Sequence, residues 1–297
     1  MYVVMGAGGT LGSCCIKSVL ELTKERIIAT DRDLAQVKEH ERIEWMACDV
    51  RDDFLTDQLI EKLAVGGEPV KVIYLAAFCK PDQVQQDPDL AWNIHVVCLH
   101  QVIHKLRRKK DVRVFYISSD RVYGESRNRY HYKETDPLRP VSFYGYCRCA
   151  AESLILRAGY HVIRFPFLVS SALTYQAHFY DQIVAAARTG ERIMLYEDVF
   201  RSAISFDHAA DLLVRLIEQG DAPAAINICG DDDLSDYDIG RMIAMRERLD
   251  ATNIIPIQAA ESWYGFPVKR AVSVLMDNRV IKGMLRLSHI DIFAQPV

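Results

Sequence analysis

The strongest constraint on this chain lies in its first dozen residues. An apolar run, residues 2–5, passes directly into Gly6-Ala7-Gly8-Gly9-Thr10-Leu11-Gly12, and from there to residue 22 apolar side chains recur at helical spacing. Glycines at 6, 9 and 12 permit a tight turn and close backbone approach, and a helix that starts there presents its first N–H groups to a pyrophosphate. A glycine-rich strand-to-helix turn can also be plain structure, so the surroundings decide. Asp31 closes a second apolar run 19 residues after Gly12, where a carboxylate can accept from ribose hydroxyls. No Gly-Lys-Ser/Thr follows the glycines, which excludes the phosphate loop of nucleotide hydrolases. The reading is a dinucleotide site.

The rest of the first half repeats the rhythm. Short apolar runs at 43–46, 70–75 and 112–117 alternate with amphipathic stretches at 53–63 and 90–106. Strands apolar on both faces, alternating with helices, specify an α/β doubly wound parallel sheet, a Rossmann fold, with its crevice at the carboxyl ends of the strands. After about residue 165 only 206–219 (helix) and 225–228 (strand) remain readable. The tail from 254, with Pro256, Trp263, Gly265 and Pro267, looks irregular. The expected division is a dinucleotide-binding domain over 1–168 and a smaller C-terminal substrate lobe over 169–297, with the segment about 200–230 returning to the sheet. At 297 residues and 50% apolar the chain can bury such a core.

Charge narrows the partners. Thirty-six basic against 40 acidic residues leave −4, which gives no field for nucleic acid. The run Lys105, Arg107, Arg108, Lys109, Lys110 falls where a helical pattern ends, a place that suits cations and water. No apolar stretch is long enough to span a membrane and no charged leader precedes the first apolar run. A soluble, cytoplasmic protein is expected, with neither nucleic acid nor membrane as partner. The eight cysteines, at 14, 15, 48, 79, 98, 147, 149 and 229, form no Cys-x-x-Cys pair and have no metal-like histidine partners. Reduced, buried thiols and no metal site are the reading.

A second group of residues carries chemistry. Ser118-Ser119-Asp120-Arg121 stands at the end of the fifth strand, and Tyr144-Gly145-Tyr146-Cys147-Arg148 follows about twenty residues later. Tyr144 and Arg148 are four apart, so a helix puts them on one face, where the cation favours tyrosinate. Ser119 could hold an oxygen being oxidised or reduced. Taken singly, Tyr144 is a packed aromatic and Arg148 a surface cation; their joint placement at a nucleotide-binding sheet points to an active site.

On these motifs the chain resembles the extended short-chain dehydrogenases/reductases, the group of nucleotide-sugar epimerases, 4,6-dehydratases and 4-ketoreductases. The resemblance implies a cofactor site made of Gly6, Gly9, Thr10, Leu11, Gly12, Asp31 and Arg32, with Asp49 and Val50 beside the adenine and Leu75, Ala76 and Ala77 under the phosphates. Asn93, Ser118, Tyr144 and Arg148 would complete it, with Phe165 and Pro166 near the nicotinamide. It further implies Ser119, Tyr144 and Arg148 as catalytic residues, and Ser119, Asp120, Arg121, Arg201 and Arg270 toward a nucleotide-sugar substrate. NAD is favoured over NADP because Asp31 would face the extra phosphate, softened by Arg32. A homodimer is left open.

Two departures from the family pattern matter. Position 148 is Arg where the family's Tyr-x-x-x-Lys has Lys, and a planar fork is longer than a compact ammonium. Two readings follow: hydride transfer at a sugar hydroxyl or ketone carbon by an epimerase or ketoreductase, or a non-catalytic NAD(P)-binding sensor of the same fold. The dehydratases' Thr-Asp-Glu becomes Ser119-Asp120-Arg121, and Arg cannot serve as the missing base. Dehydration is therefore the least expected reaction.

Overall fold

The strands of the nucleotide-binding half run parallel, so Gly6 after the first apolar run, Asp31 at the end of the second and Ser118-Ser119 at the end of the fifth lie on one edge of the sheet. The structure, a computed structural model, describes residues 1–34, 37, 39–63, 68–77, 81–169, 179–259 and 273–293. In chain order the first half comprises β1 (Tyr2–Met5), α1 (Thr10–Leu22), β2 (Ile27–Asp31), β3 (Ile43–Ala47), α2 (Asp53–Lys62) and β4 (Val70–Tyr74). Short helices α3 (Pro81–Gln86) and α4 (Pro88–Trp92) lead through a π-helical turn, Asn93–Cys98, into α5 (Leu99–Leu106). Then come β5 (Val112–Ser119), a 3-10 turn at Asp120–Val122, β6 (His131–Tyr132), α6 (Phe143–Arg157) and β7 (His161–Phe165).

The second half runs β8 (Leu168–Val169), α7 (Phe179–Thr189), β9 (Ile193–Tyr196), β10 (Phe200–Arg201), β11 (Ile204–Ser205), α8 (Phe206–Gln219) and β12 (Ala225–Asn227). It continues with β13 (Leu234–Ser235), α9 (Asp236–Arg246), β14 (Ile254–Ile257), β15 (Leu275–Met276) and a final helix, Arg279–Leu285.

Seven strands form one parallel sheet in the order β12-β7-β5-β4-β1-β2-β3. The order reverses between β1 and β4, the switch point at which such a sheet opens its crevice. This is the doubly wound architecture that the alternation of the sequence specifies. Side chains of β1 alternate between two cores: Tyr2 and Val4 pack with α1 and α8, and Val3 and Met5 with α2, α5 and α6. A third core joins α7 and α9 to Leu195 and Ile254 on the paired strands β9 and β14. Helix α8 and strand β12, although late in sequence, pack in the main sheet layer.

Two local readings are corrected. The stretch 90–106 is not one α-helix, because six residues from Asn93 to Cys98 are wound as a π turn, an insertion frequent at functional sites. The tail from 254 is not irregular at its start: β14 pairs in parallel with β9, Pro256 opposite Leu195. Proline is tolerated in that two-stranded ribbon, where each strand has an open edge. Trp263, Gly265, Pro267, Cys79 and Arg270 lie outside the described residues. No helix among the described residues is long and apolar enough to cross a membrane.

Candidate active site

The glycine loop is shaped by its neighbours. Gly6 has φ +88°, and a Cβ there would lie 2.9 Å from the Ala76 nitrogen; at Gly12 it would lie 2.4 Å from the Gly6 carbonyl oxygen. Only glycine lets the loop close on the end of β4 and helix α1 close on the loop. Gly9 is the N-cap of α1, no side chain caps that end, and the first turn holds no acidic residue. A helix start with an unprotected positive dipole end and a glycine cradle fits a pyrophosphate.

Around the loop, Asp31 is pinned by the backbone: one oxygen accepts from Gly8 N (2.8 Å) and the other from Arg32 N (2.7 Å), while the Arg32 side chain is exposed. Asp49 is clasped by Arg51, whose hydrogen bonds hold the carboxylate below its usual range. Val50, Leu75, Ala76 and Leu11 are partly buried against the cores beneath the crevice, Thr10 is buried and Ala77 half-buried. Asn93 is exposed at the start of the π turn, its Oδ1 3.9 Å from the Cys98 thiol. Phe165 and Pro166 are buried, Phe165 within the α1/α8 core, so they form floor rather than wall.

Ser118, read from sequence as a cofactor residue, is turned elsewhere. Its hydroxyl donates to Glu152 Oε1 (2.5 Å), which is itself ion-paired with Arg164 (2.7 Å), all of it buried. Alternation along β5 explains this: Ser118 and Ser119 point to opposite faces, and the glutamate lies beneath.

Helix α6 is brought to the end of β5 by close packing. Ser142 caps it by accepting from Gly145 N (3.3 Å), and a Cβ on Gly145 would lie 2.4 Å from the Arg121 carbonyl oxygen and 2.8 Å from Pro140. The first turn of α6 therefore sits on the 3-10 turn that carries Asp120 and Arg121. Arg148 Nε donates to the Tyr144 hydroxyl (3.0 Å), and Arg148 Nη1 donates to the Tyr116 hydroxyl (2.9 Å) and the Ile117 carbonyl (3.0 Å). Arg148 is only 6% exposed and Tyr144 9%, so the pair meets in a medium that screens poorly. The Tyr144 ring also meets His95 of the π turn edge-on, centroids 5.9 Å apart.

On the substrate side, Ser119 Oγ donates to Asp120 Oδ1 (2.9 Å) and accepts from Arg121 N (3.3 Å). Arg121 Nε stands 3.8 Å from the same Asp120 oxygen. Asp120 is buried, and its Oδ2 has no hydrogen-bond partner among the described residues; the same holds for Arg201 Nη1. Arg201 is held at Nε by Asp236 (2.9 Å) and lies over the Phe167 ring. Burial opposes its charge, but Asp236 outweighs burial, with help from Asp120 and Glu125. An unsatisfied buried acceptor and an unsatisfied buried donor are groups that a polar ligand would complete.

Two residues of this site escape sequence reasoning. His95 falls inside an ordinary helical pattern, yet it lies in the π turn and meets the Tyr144 ring. Tyr116 reads as one more apolar strand residue. Its partner is 32 residues away, and nothing in local spacing announces the contact.

A family model described as the RmlD substrate binding domain matches residues 1–289. A dTDP-glucose 4,6-dehydratase of Shigella flexneri is 22% identical over 271 residues, 80% of this chain and 74% of that protein. An ADP-L-glycero-D-manno-heptose-6-epimerase of Cupriavidus pinatubonensis is 28% identical over 148 residues, 49% of this chain and 42% of its own. Among solved structures, dTDP-4-dehydrorhamnose reductase from Bacillus anthracis in complex with NADP superposes with TM-score 0.78 at 19% identity, covering 96% of this chain and 97% of that one. MoeE5 in complex with UDP-glucuronic acid and NAD gives 0.79 at 20%, covering 98% and 94%.

Proposed function

The chain belongs to the family described as the RmlD substrate binding domain, within the extended short-chain dehydrogenases/reductases, and from that premise we propose that it is an NAD(P)H-dependent ketoreductase of a nucleotide-activated sugar. One observation carries the proposal: the Tyr144 hydroxyl accepts a hydrogen bond from a buried guanidinium at 3.0 Å, at the edge of the sheet where the glycine loop opens. A phenol paired with a fixed cation can give up its proton while the charge left behind is stabilised.

Gly6, Gly12 and the uncapped start of α1 would hold the pyrophosphate, and Asp31 a ribose hydroxyl. A bound reduced nicotinamide supplies hydride to the carbonyl carbon of the sugar. Tyr144 gives its phenolic proton to the oxygen as that oxygen gains charge, and Arg148 stabilises the phenolate left behind. Ser119 Oγ, already oriented by Asp120, holds the reacting oxygen. Arg201 Nη1 is suited to a diphosphate oxygen. Arg121 at the place of the dehydratase acid speaks against water elimination, and the likeness in fold to a dTDP-4-dehydrorhamnose reductase is what this reading takes as support for reduction.

The test is a panel of nucleotide-linked keto-sugars with NADH or NADPH, followed by loss of nicotinamide absorbance. Stoichiometric oxidation with reduction of one sugar is expected. Isomerisation without net cofactor oxidation would make it an epimerase, and no turnover with bound cofactor would make it the sensor considered from sequence.

A further inference from the structure

An arginine in place of the family's lysine has more length and more donors than the site needs, and the surplus must end somewhere. It ends on β5. Nη1 of Arg148 donates to the Tyr116 hydroxyl and to the Ile117 carbonyl, while Nε, on the other side of the same rigid plane, donates to Tyr144. The guanidinium carbon also lies over both rings, 5.7 Å from the Tyr116 centroid and 5.0 Å from that of Tyr144.

We propose that Tyr116 is a positioning residue of the active site: together with the Ile117 carbonyl, its hydroxyl fixes one end of the Arg148 guanidinium so that the other end is held against the Tyr144 oxygen. The inference rests on Tyr144 as the proton donor. One acceptor would let a planar fork pivot about Nη1; two diverging acceptors hold the plane, and the plane sets the direction of the Nε–H. Tyr116 is fully buried, and burial, only partly offset by Arg148, pushes its phenol up to about 12. It therefore stays a neutral acceptor and does not compete with Tyr144 as an anion.

The adjacent strand supplies a control. Tyr74 pairs with Tyr116 in register, their ring centroids are 6.1 Å apart, and its hydroxyl is buried with no hydrogen-bond partner among the described residues. Removing that hydroxyl deletes the same atom from the same core and breaks none of the hydrogen bonds that hold Arg148.

The experiment is a pH titration of the Tyr144 resonance in full-length protein labelled at tyrosine ¹³Cζ, assigned by its disappearance in Tyr144→Phe. Tyr116→Phe is expected to raise the midpoint of Tyr144 by about one pH unit, a tenfold smaller phenolate fraction at a given pH. Tyr74→Phe is expected to leave it in place. In an Arg148→Lys background, where a compact ammonium has no surplus donor to anchor, Tyr116→Phe is expected to have no effect. A midpoint unmoved by Tyr116→Phe, or moved equally in both backgrounds, would overturn the proposal in favour of a purely structural hydroxyl. The premise fails separately: if Tyr144→Phe leaves sugar reduction intact, the proton-donor reading falls, whatever the titration shows.

Discussion

A cation as deeply placed as Arg148 must find acceptors for its donors, because a buried charge without them costs several kcal/mol. Here those acceptors are the phenol of Tyr144, the phenol of Tyr116 and a strand carbonyl, so the same contacts that make the charge tolerable also aim it. Tyr144→Phe keeps the ring and removes only the oxygen. Cofactor affinity is expected to stay within a few-fold, while turnover on an identified keto-sugar falls by about 10² to 10⁴; wild-type turnover would misplace the active site. Arg148→Ala is expected to weaken both cofactor binding and rate, and Arg148→Lys to change rate only modestly, read as kcat/KM against cofactor Kd. The proposed preference for NAD over NADP rests on Asp31. Its carboxylate is anchored by Gly8 N and Arg32 N and cannot swing away without losing both bonds. Facing a 2′-phosphate at ~4 Å and an effective dielectric of about 20, it would cost about 4 kcal/mol, an upper figure at a solvent edge. Fluorescence titration is expected to show tighter binding of NADH than NADPH, and equal affinities would refute the assignment.

Among the elements, α6 matters most because its first turn has no room to spare. A Cβ on Gly145 would meet a backbone carbonyl at 2.4 Å, which cannot rotate aside as a side-chain tip would. Gly145→Ala is therefore expected to lift α6 from the turn at Asp120–Val122, lowering Tm and separating Tyr144 from Ser119. Cofactor binding, proposed to rest chiefly on the glycine loop and Asp31, should suffer less. Gly283→Ala, in the last helix with nothing within 4 Å of the added carbon, is the matched control and is expected to stabilise by about 0.4 to 1 kcal/mol. Helix α6 also shows what a sequence can disclose. The i, i+4 spacing of Tyr144 and Arg148 is local information, and the two are hydrogen-bonded; the glycine loop and the strands of the parallel sheet are likewise written in short windows. The π turn at Asn93–Cys98 is hidden in a helical pattern because it is only six residues long, too short for its altered i→i+5 period to stand out from the helices on either side. Strands such as β8, β10 and β11 are two residues long, too short for any period, and they exist only because distant segments pair with them. The partner of the Ser118 hydroxyl is hidden for a related reason: Glu152 lies on another element and has no signature near Ser118.

At the scale of the molecule, two histidines join separate parts of the fold and set how it responds to acid. His161 of β7 stacks on Phe115 (centroids 4.9 Å) and its Nδ1 meets the Pro223 carbonyl at 2.9 Å, tying the sheet to the segment before β12. His208, in the first turn of α8, meets the Asp291 carbonyl at 2.9 Å and ties the C-terminal segment to the α8 layer. A carbonyl only accepts, so Nδ1 carries the proton in both. Burial is the first cause holding each imidazole below its ordinary value, and the carbonyl contacts only partly offset it. The unfolded histidine, near 6.5, thus takes up a proton before the folded one does. Their contribution is fully present above about pH 6.5 and is lost as pH falls toward the folded values. Carboxylates held low by partners respond later: in Asp231, burial is overcome by Lys282, the Ile290 N–H and Asn278, and in Asp277 by Arg279. Their share is lost only below about pH 4. Urea unfolding measured across pH is therefore expected to give a plateau near neutrality, a first decline from about pH 6.5 and a second, steeper one below about 4. The double variant His161→Asn, His208→Asn should be less stable at neutral pH through lost packing, but its first decline should flatten while the second remains. If the wild type holds its stability unchanged down to about pH 5, or if the double variant declines in parallel with it, acid acts on this fold through its carboxylates alone.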